Sequence, residues 1–220
     1  GLKSEKVHYL YKKKKELTST GTCLILITPD SERTMATFLG TAGKISESDI
    51  DIASIKSSEI LFLEGYLWDE GDPKKAFKKA ISSSNKVAMT LSDLFCVERH
   101  KSDFLSLVKN KLHITFANEQ EMISLINAKN FEDVIEFSKK TKKLIIVTRG
   151  EKGSIAIKGN EVVECPAKKS LKIVDLTGAG DLFASGFLHG IINKKTILEC
   201  LNIGTEMSSK VIQIKGARLN

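Results

Sequence analysis

The sequence predicts an α/β protein built on a mostly parallel sheet. After Gly40, short apolar runs of four or five residues alternate with longer segments that mix polar and apolar residues, and this alternation is typical of βα units. The chain has 220 residues, 41% of them hydrophobic, which is enough to fill one sizeable core. The first forty residues differ, because short β-branched runs follow one another with only turn residues between them. We therefore predict two parts, residues 1–40 and 41–220.

Each predicted strand has a local signal. In residues 1–40 three short strands are expected, with Pro29-Asp30-Ser31-Glu32 as the turn between the last two. Their expected bounds are 7–11, 22–28 and 33–38. Beyond them, apolar runs that end in a polar residue or a glycine indicate buried parallel strands. These runs are 60–63, 86–90, 114–117 and 144–148.

Helices are expected after most of these strands. Pro73 suits the first turn of a helix, and the segments that follow the other strands carry apolar residues at helical spacing. The expected helices are 73–84, 96–108, 119–125, 131–140, 181–192 and 195–211. Residues 153–165 are predicted to form a hairpin that turns at Lys158-Gly159-Asn160, because Gly and Asn tolerate left-handed backbone conformations.

Composition excludes several classes of protein. The longest apolar runs, 23–27 and 144–147, are far shorter than the roughly 20 residues that span a bilayer, so no membrane partner is expected. The N-terminus has no apolar stretch that leads to a small-residue cleavage site. The four cysteines are scattered among apolar residues, which predicts reduced, buried thiols in a cytoplasmic protein. They are Cys23, Cys96, Cys165 and Cys200.

The chain is basic, with a formal net charge of +7. Much of the excess lies in the lysine run 12–15 and in lysine pairs on predicted surface helices. No aromatic residues are interleaved with these lysines, so we interpret them as solvated surface and expect no nucleic-acid partner. Binding to nucleic acid remains a third, weaker functional alternative. A cleft that binds ATP would use the same positive charge.

The segment Asp175-Leu176-Thr177-Gly178-Ala179-Gly180-Asp181 carries the strongest chemical signal. Apolar residues at helical spacing follow it, so Gly178, Ala179 and Gly180 lie at a predicted helix N-terminus. Such an end exposes unpaired N–H groups and a partial positive charge, which bind anions. Asp181 would repel an anion, and this suggests a second role as general base for an incoming hydroxyl.

This segment has other interpretations. An Asp in a glycine turn often only caps a helix. A dinucleotide-binding loop would need a third glycine or alanine where Phe183 stands, and the chain contains no G-x-x-x-x-G-K-[S/T] sequence. A dinucleotide loop and a P-loop are therefore disfavoured, while the helix cap stays open.

The nine residues from Asp175 to Phe183 resemble the C-terminal signature of the ribokinase-like (pfkB) family of carbohydrate and nucleoside kinases. The resemblance implies a three-layer α/β/α sandwich with a mostly parallel sheet and a small β lid. It further implies ATP-dependent phosphorylation of a sugar or nucleoside hydroxyl, with magnesium. Asp181 would be the catalytic base, and Gly178, Ala179 and Gly180 would form the anion hole.

Two further motifs match this family. Asn118 and Glu121 resemble its N-x-x-E motif, which implies that they arrange magnesium through water, whereas a helix-capping pair is the plain alternative. The sequence Thr148-Arg149-Gly150-Glu151-Lys152-Gly153 is similar to its T-x-G-x-x-G loop. The resemblance therefore implies that Thr148, Gly150 and Gly153 bind the nucleotide.

The remaining site residues rest on the resemblance alone. Gly216-Ala217-Arg218 and Asn202 correspond to the region that builds the adenine pocket. Asp175 and Thr177 would supply oxygens to a monovalent cation, potassium. Arg33, after the Pro-Asp turn, corresponds to a lid arginine that approaches the transferred phosphate, and an exposed strand arginine is the alternative.

The sequence also departs from the family. Several N-terminal βα units and a paired-glycine motif that grip the acceptor do not occur here, so we expect residues 1–40 to be a partial lid and 41–220 a partial ATP-binding domain. A catalytically inert nucleotide-binding fragment or shortened homologue is therefore the alternative function, and a homodimer is a further expectation. The run Thr20-Gly21-Thr22-Cys23 favours the adenosine-kinase-like branch, with ribose or fructose as alternative acceptors. Asp93 is expected to cap a helix or to lie near the phosphates.

Overall fold

The computed structural model describes residues 2, 4–10, 17–29 and 33–219. A six-stranded sheet with the order β3-β4-β5-β6-β7-β8 forms its centre, and β1 and β2 form a separate antiparallel pair. The strands are β1 (Thr22–Ile27), β2 (Arg33–Phe38), β3 (Leu61–Glu64), β4 (Val87–Thr90), β5 (Ile114–Asn118), β6 (Leu144–Thr148), β7 (Ser154–Lys158) and β8 (Glu161–Cys165). Strands β3 to β6 are parallel to one another. Strand β7 pairs antiparallel with both β6 and β8. The predicted, mostly parallel α/β sheet is confirmed.

The described chain contains eight α-helices. They are α1 (Ile52–Ser57), α2 (Asp72–Ser83), α3 (Leu94–Arg99), α4 (Lys101–Asn110), α5 (Glu119–Ile126), α6 (Phe131–Thr141), α7 (Ala179–Ile192) and α8 (Ile197–Val211). On one face Ile145 and Val147 pack into a core that contains residues of α2 to α6. On the other face Ile146 packs with Phe187 of α7 and Leu201 of α8. The alternation of β6 side chains thus produces the three predicted layers.

Helices α7 and α8 approach each other closely because glycines line their contact. A Cβ on Gly186 would lie 3.0 Å from the Gly204 Cα, and a Cβ on Gly190 would lie 2.7 Å from the Cys200 Sγ. Larger side chains would force the two helices apart. This contact fixes the direction of α7, whose first turn carries Gly180 and Asp181.

The strands β1 and β2 pair over their full lengths, from Thr22 opposite Phe38 to Ile27 opposite Arg33. Every residue of both strands is exposed. Two of the three predicted N-terminal strands are thus present. Residues 7–10 are not in a strand, so the expected strand over 7–11 is wrong for these four residues, and the Val7 amide donates to the Leu2 carbonyl at 2.9 Å instead. Residue 11, residues 30–32 of the predicted turn and the lysine run 12–15 lie outside the described residues.

Two other expectations need correction, and one helix was not predicted. The helix predicted over 96–108 is two helices that meet at His100, whose ring lies 3.5 Å from Asp69 and packs on Phe104. Helix α1 gave no periodic signal because it has only six residues. Cys23 is exposed on β1, whereas Cys96, Cys165 and Cys200 are buried, and all four are free thiols. In the described part of the chain, no helix combines the length and apolarity needed to cross a membrane.

Candidate active site

The first turn of α7 is open to solvent at the carboxyl end of the sheet. Gly178 precedes the helix with φ of 79°, and no side chain among the described residues caps this end. Gly180 and Asp181 are exposed, and a Cβ on Gly180 would meet no described atom within 4 Å. The Ala179 amide donates to the Leu176 carbonyl at 3.2 Å. Helix geometry leaves the amide of the exposed Gly180 without an intrahelical acceptor and accessible to an anion.

Asp175 is a buried anchor for the loop that precedes α7. Its Oδ1 accepts hydrogen bonds from the Thr177 amide at 2.9 Å and from the Thr177 hydroxyl at 2.6 Å, and its Oδ2 accepts one from the Gly216 amide at 2.8 Å. Burial acts to raise the pKa of Asp175, but these hydrogen bonds and the charge of Arg33 outweigh it and lower the pKa. The buried carboxylate ties residues 175–178 to the C-terminal segment that contains Gly216.

Acidic groups gather near Asp181, at the ends of neighbouring strands. Partial burial, together with the charge of Asp181, raises the pKa of Glu64 at the end of β3. Burial, then the charges of Asp93 and Asp181, raise the pKa of Tyr66, whose hydroxyl donates to the Ser92 carbonyl at 3.2 Å. Asp93 caps α3 by accepting from the Cys96 amide at 2.7 Å. The cluster creates a negative potential that favours a cation beside the anion-binding turn.

Asn118 and Glu121 bond to each other at the start of α5. The Asn118 side chain accepts from the Glu121 amide at 2.8 Å, and Glu121 accepts from the Asn118 amide at 3.0 Å and from its Nδ2 at 2.6 Å. This is the capping box that was the alternative interpretation. Burial raises the pKa of Glu121 to about 7, although the hydrogen bonds from Asn118 act in the opposite direction.

The fit of these residues to magnesium depends on water. Within residues 2, 4–10, 17–29 and 33–219, no group of three or more His, Cys, Asp or Glu side chains is arranged to hold a metal directly. Magnesium commonly retains several waters and needs only one or two protein carboxylates. All three side-chain oxygens of Asn118 and Glu121 already accept hydrogen bonds within the pair, so these residues would hold such an ion through its waters, and this role stays a prediction.

A cavity of about 830 Å³ lies between the β6–β7 loop, the 166–171 segment, the first turn of α7 and the C-terminal half of α8. Thr148, Gly150 and Gly153 line it, and their contact with a nucleotide stays a prediction. Gly153 also has a structural requirement, because its φ is 87° and a Cβ would lie 2.2 Å from the Cys165 carbonyl oxygen. Asn202 lies on the exposed side of α8, where its side chain accepts from the Cys165 thiol at 3.3 Å.

Sequence reasoning missed several residues of this region. Glu64 ends β3 and Tyr66 lies two residues later, and the Glu-Gly step after an apolar run was the signal that could have found them. The α8 residues Thr205, Ser208 and Ser209 line the cavity, but hydroxyls within a helix give no sequence signal of their own. Arg33 lies at the exposed start of β2, close enough for its charge to act on Asp175.

Comparison with known protein families shows the family to which this chain belongs. The model of the pfkB family of carbohydrate kinases matches residues 1–220. This chain belongs to the pfkB family. The segment from Asp175 to Phe183 that resembles the family signature thus comprises the loop anchored by buried Asp175, the exposed Gly180 and Asp181, and the helix residues that follow. The family fold agrees with the observed sheet and layers.

Relatives of this pfkB chain carry different names. A solved adenosine kinase from Sinorhizobium meliloti is 35% identical with a TM-score of 0.95, over 99% of this chain and 68% of that one. An uncharacterized sugar kinase from Archaeoglobus fulgidus is 28% identical over 202 residues, which are 90% of this chain and 79% of the relative. An Escherichia coli structure solved with ATP and Mg²⁺ shares the fold, with a TM-score of 0.81 and 19% identity over 91% of this chain and 67% of that one. The chain thus spans about two thirds of these two solved structures.

Proposed function

We propose that this pfkB chain binds ATP and supports transfer of its γ-phosphoryl group to a hydroxyl of a nucleoside, with a sugar such as ribose or fructose as the alternative acceptor. The observation that carries the proposal is the exposed turn of Gly180 and Asp181 beside the cavity. This turn places anion-binding amides next to a carboxylate, which are the two functions that phosphoryl transfer to a hydroxyl requires.

Each residue has a distinct role in this proposal. The amides of Gly178 to Gly180 bind the γ-phosphate and stabilise charge on the group in transfer. Asp181 accepts the proton of the acceptor hydroxyl, which is worth about 10²- to 10⁴-fold in rate. Magnesium, arranged through water by Asn118 and Glu121, neutralises phosphate charge when bound. Arg33 would add a positive charge from the lid.

The cavity is the proposed nucleotide site. It extends from Gly180 and Thr148 to hydroxyl side chains of α8, including Thr205 and Ser209, and its volume of about 830 Å³ is in the range of small-molecule pockets. The proposed adenine end lies toward α8. Potassium at Asp175 and Thr177 stays a prediction, and so do Asn202 as a nucleotide contact and a homodimer.

A nucleoside acceptor is favoured by the similarity to the Sinorhizobium meliloti adenosine kinase, which is 35% identical to this chain. The sugar alternative is supported by the Archaeoglobus fulgidus relative, at 28% identity. Calorimetry with ATP and magnesium, followed by a coupled assay with adenosine, ribose and fructose, tests both steps. We expect ATP binding, and faster turnover with adenosine than with either sugar.

A nucleotide-binding chain without turnover is the second candidate. It requires the cavity beside Gly150 and Gly153, but it does not require Asp181 as a base. ATP binding with no turnover on any of the three acceptors would support this candidate. Absence of ATP binding would contradict both.

A further inference from the structure

Glu119 links the two motifs that the proposed function uses. It is the first residue of α5, directly after Asn118, and β5 pairs with β6 so that Asn118 is opposite Thr148. Its Oε2 accepts a hydrogen bond from the Arg149 Nε at 2.9 Å, and its Oε1 accepts one from the Lys152 Nζ at 3.3 Å. One carboxylate thus binds both cations of the β6–β7 loop, residues 149–153.

The Glu119–Arg149 pair is partly shielded from water, unlike most surface ion pairs, whereas the Lys152 side chain is 65% exposed. The side chains of Glu119 and Arg149 are 22% and 20% exposed. The Arg149 guanidinium also lies 3.8 Å from the ring centroid of Phe131, the buried first residue of α6. A guanidinium held by a carboxylate on one side and a ring on the other has few alternative positions.

Backbone hydrogen bonds within the loop connect Arg149 to the glycines that line the cavity. The Arg149 amide donates to the Gly153 carbonyl at 2.8 Å, and the Lys152 amide donates to the Arg149 carbonyl at 3.1 Å. Gly150 and Gly153, which line the cavity, are therefore held in the same closed turn as Arg149. Gly150 has φ of 56°, and a Cβ on it would meet no described atom within 4 Å, so its own packing does not fix the turn.

We propose that Glu119 is a positioning residue that holds the β6–β7 loop in its nucleotide-binding conformation by binding Arg149 and Lys152. The inference rests on the proposed function, because it assumes that the loop contacts ATP. A loop that is already ordered loses less conformational freedom when the ligand binds. If a variant populates the competent loop only part of the time, its apparent affinity falls by that fraction.

The test is a set of ATP titrations with magnesium by calorimetry on the chain itself. Glu119→Gln and Arg149→Met are each expected to raise the dissociation constant about three- to tenfold, the range of one partly shielded ion pair. The double variant should be no weaker than the weaker single variant, because both changes break the same contact. The exchanged pair Glu119→Arg with Arg149→Glu should recover part of the affinity.

Glu132→Gln is the matched control, since it also removes a carboxylate from the first turn of a helix. It is expected to leave ATP affinity unchanged. If wild type binds ATP and Glu119→Gln binds equally well, or if the two single effects add fully, the inference is wrong and the proposed function stands. If wild type binds no ATP, both are wrong.

Discussion

Gly178 packs directly on Ala217, so closely that a Cβ on Gly178 would lie 2.8 Å from the Ala217 Cβ. This contact joins the residue before α7 to the C-terminal segment, which Asp175 also holds through the Gly216 amide. The position of the α7 first turn therefore depends on a segment that is distant in the sequence.

Two glycines in this turn should respond differently to alanine. Gly178→Ala is expected to lower the free energy of unfolding by about 1–3 kcal/mol, because φ of 79° strains an alanine and Ala217 blocks its methyl group. Gly180→Ala should change stability by less than about 0.5 kcal/mol, since its Cβ meets open space. Its methyl group would instead enter the proposed phosphate site and weaken ATP binding.

Urea unfolding and ATP calorimetry on both variants measure this difference. Equal losses of stability, or unchanged ATP affinity in folded Gly180→Ala, would contradict the assigned roles.

Asp175 should be a stability residue as well as a part of the site. Asp175→Asn replaces one acceptor oxygen by a donor that faces an N–H or O–H group, so we expect a loss of about 1–3 kcal/mol. Thr177→Val removes only the hydroxyl hydrogen bond of 2.6 Å and should cost less. Chemical unfolding at pH 7 compares the two, and a larger loss for Thr177→Val would be inconsistent with the network.

Glu121 should make stability depend on pH. Below pH 4.5 its carboxyl is protonated in both the folded and the unfolded chain. Between pH 4.5 and about 7, the unfolded chain ionises while the folded chain keeps its proton, so folding becomes less favourable as pH rises. The total loss is about 3 kcal/mol, and it is complete above the folded pKa.

Glu121→Gln removes this titration and keeps a capping acceptor. The free energy of unfolding of wild type, measured without metal, should fall relative to that of the variant as pH rises from 4.5 to about 7. A constant difference across this range would show that Glu121 titrates normally.

Removal of two different buried hydroxyl groups should change the free energy of unfolding in opposite directions. Thr115 is fully buried, and its Oγ1 has no hydrogen-bond partner among the residues that the structure describes. Thr115→Val should raise the free energy of unfolding by about 1 kcal/mol, because an unpaired buried hydroxyl is costly. Ser138 is equally buried but donates to the Val134 carbonyl at 2.7 Å, so Ser138→Ala should lower it. Thermal unfolding measures the sign of both stability changes. A less stable Thr115→Val variant would show that the Thr115 hydroxyl has a hydrogen-bond partner in the folded protein.

The sequence predicted those parts of the fold that depend on local patterns. Strand β6 has the predicted bounds, because its apolar run is short and flanked by polar residues. The turn before Asp181 was found for the same reason, since glycines mark it. The break between α3 and α4 at His100 was not predicted, because His100 contacts Asp69, which is distant in the sequence, and Phe104, which lies one turn further along α4.

The same limit applies to the candidate site. Asn118 and Glu121 were identified by their motif, but their mutual bonding required coordinates. Glu64 and Tyr66 come near Asp181 only through the parallel pairing of strands distant in sequence. Cys23 was expected to be buried because its neighbours are apolar, yet within the described chain both faces of β1 stay exposed.

Asp181 is the proposed catalytic base, and Asp181→Asn tests this role most directly. The variant keeps the size of the side chain and loses its ability to accept a proton. ATP affinity measured by calorimetry should stay within about threefold of wild type, while turnover of the best acceptor should fall by about 10²-fold or more. Asp93→Asn is the control, because Asn still caps α3 and the base remains. Near-normal turnover in Asp181→Asn would show that Asp181 is not the catalytic base.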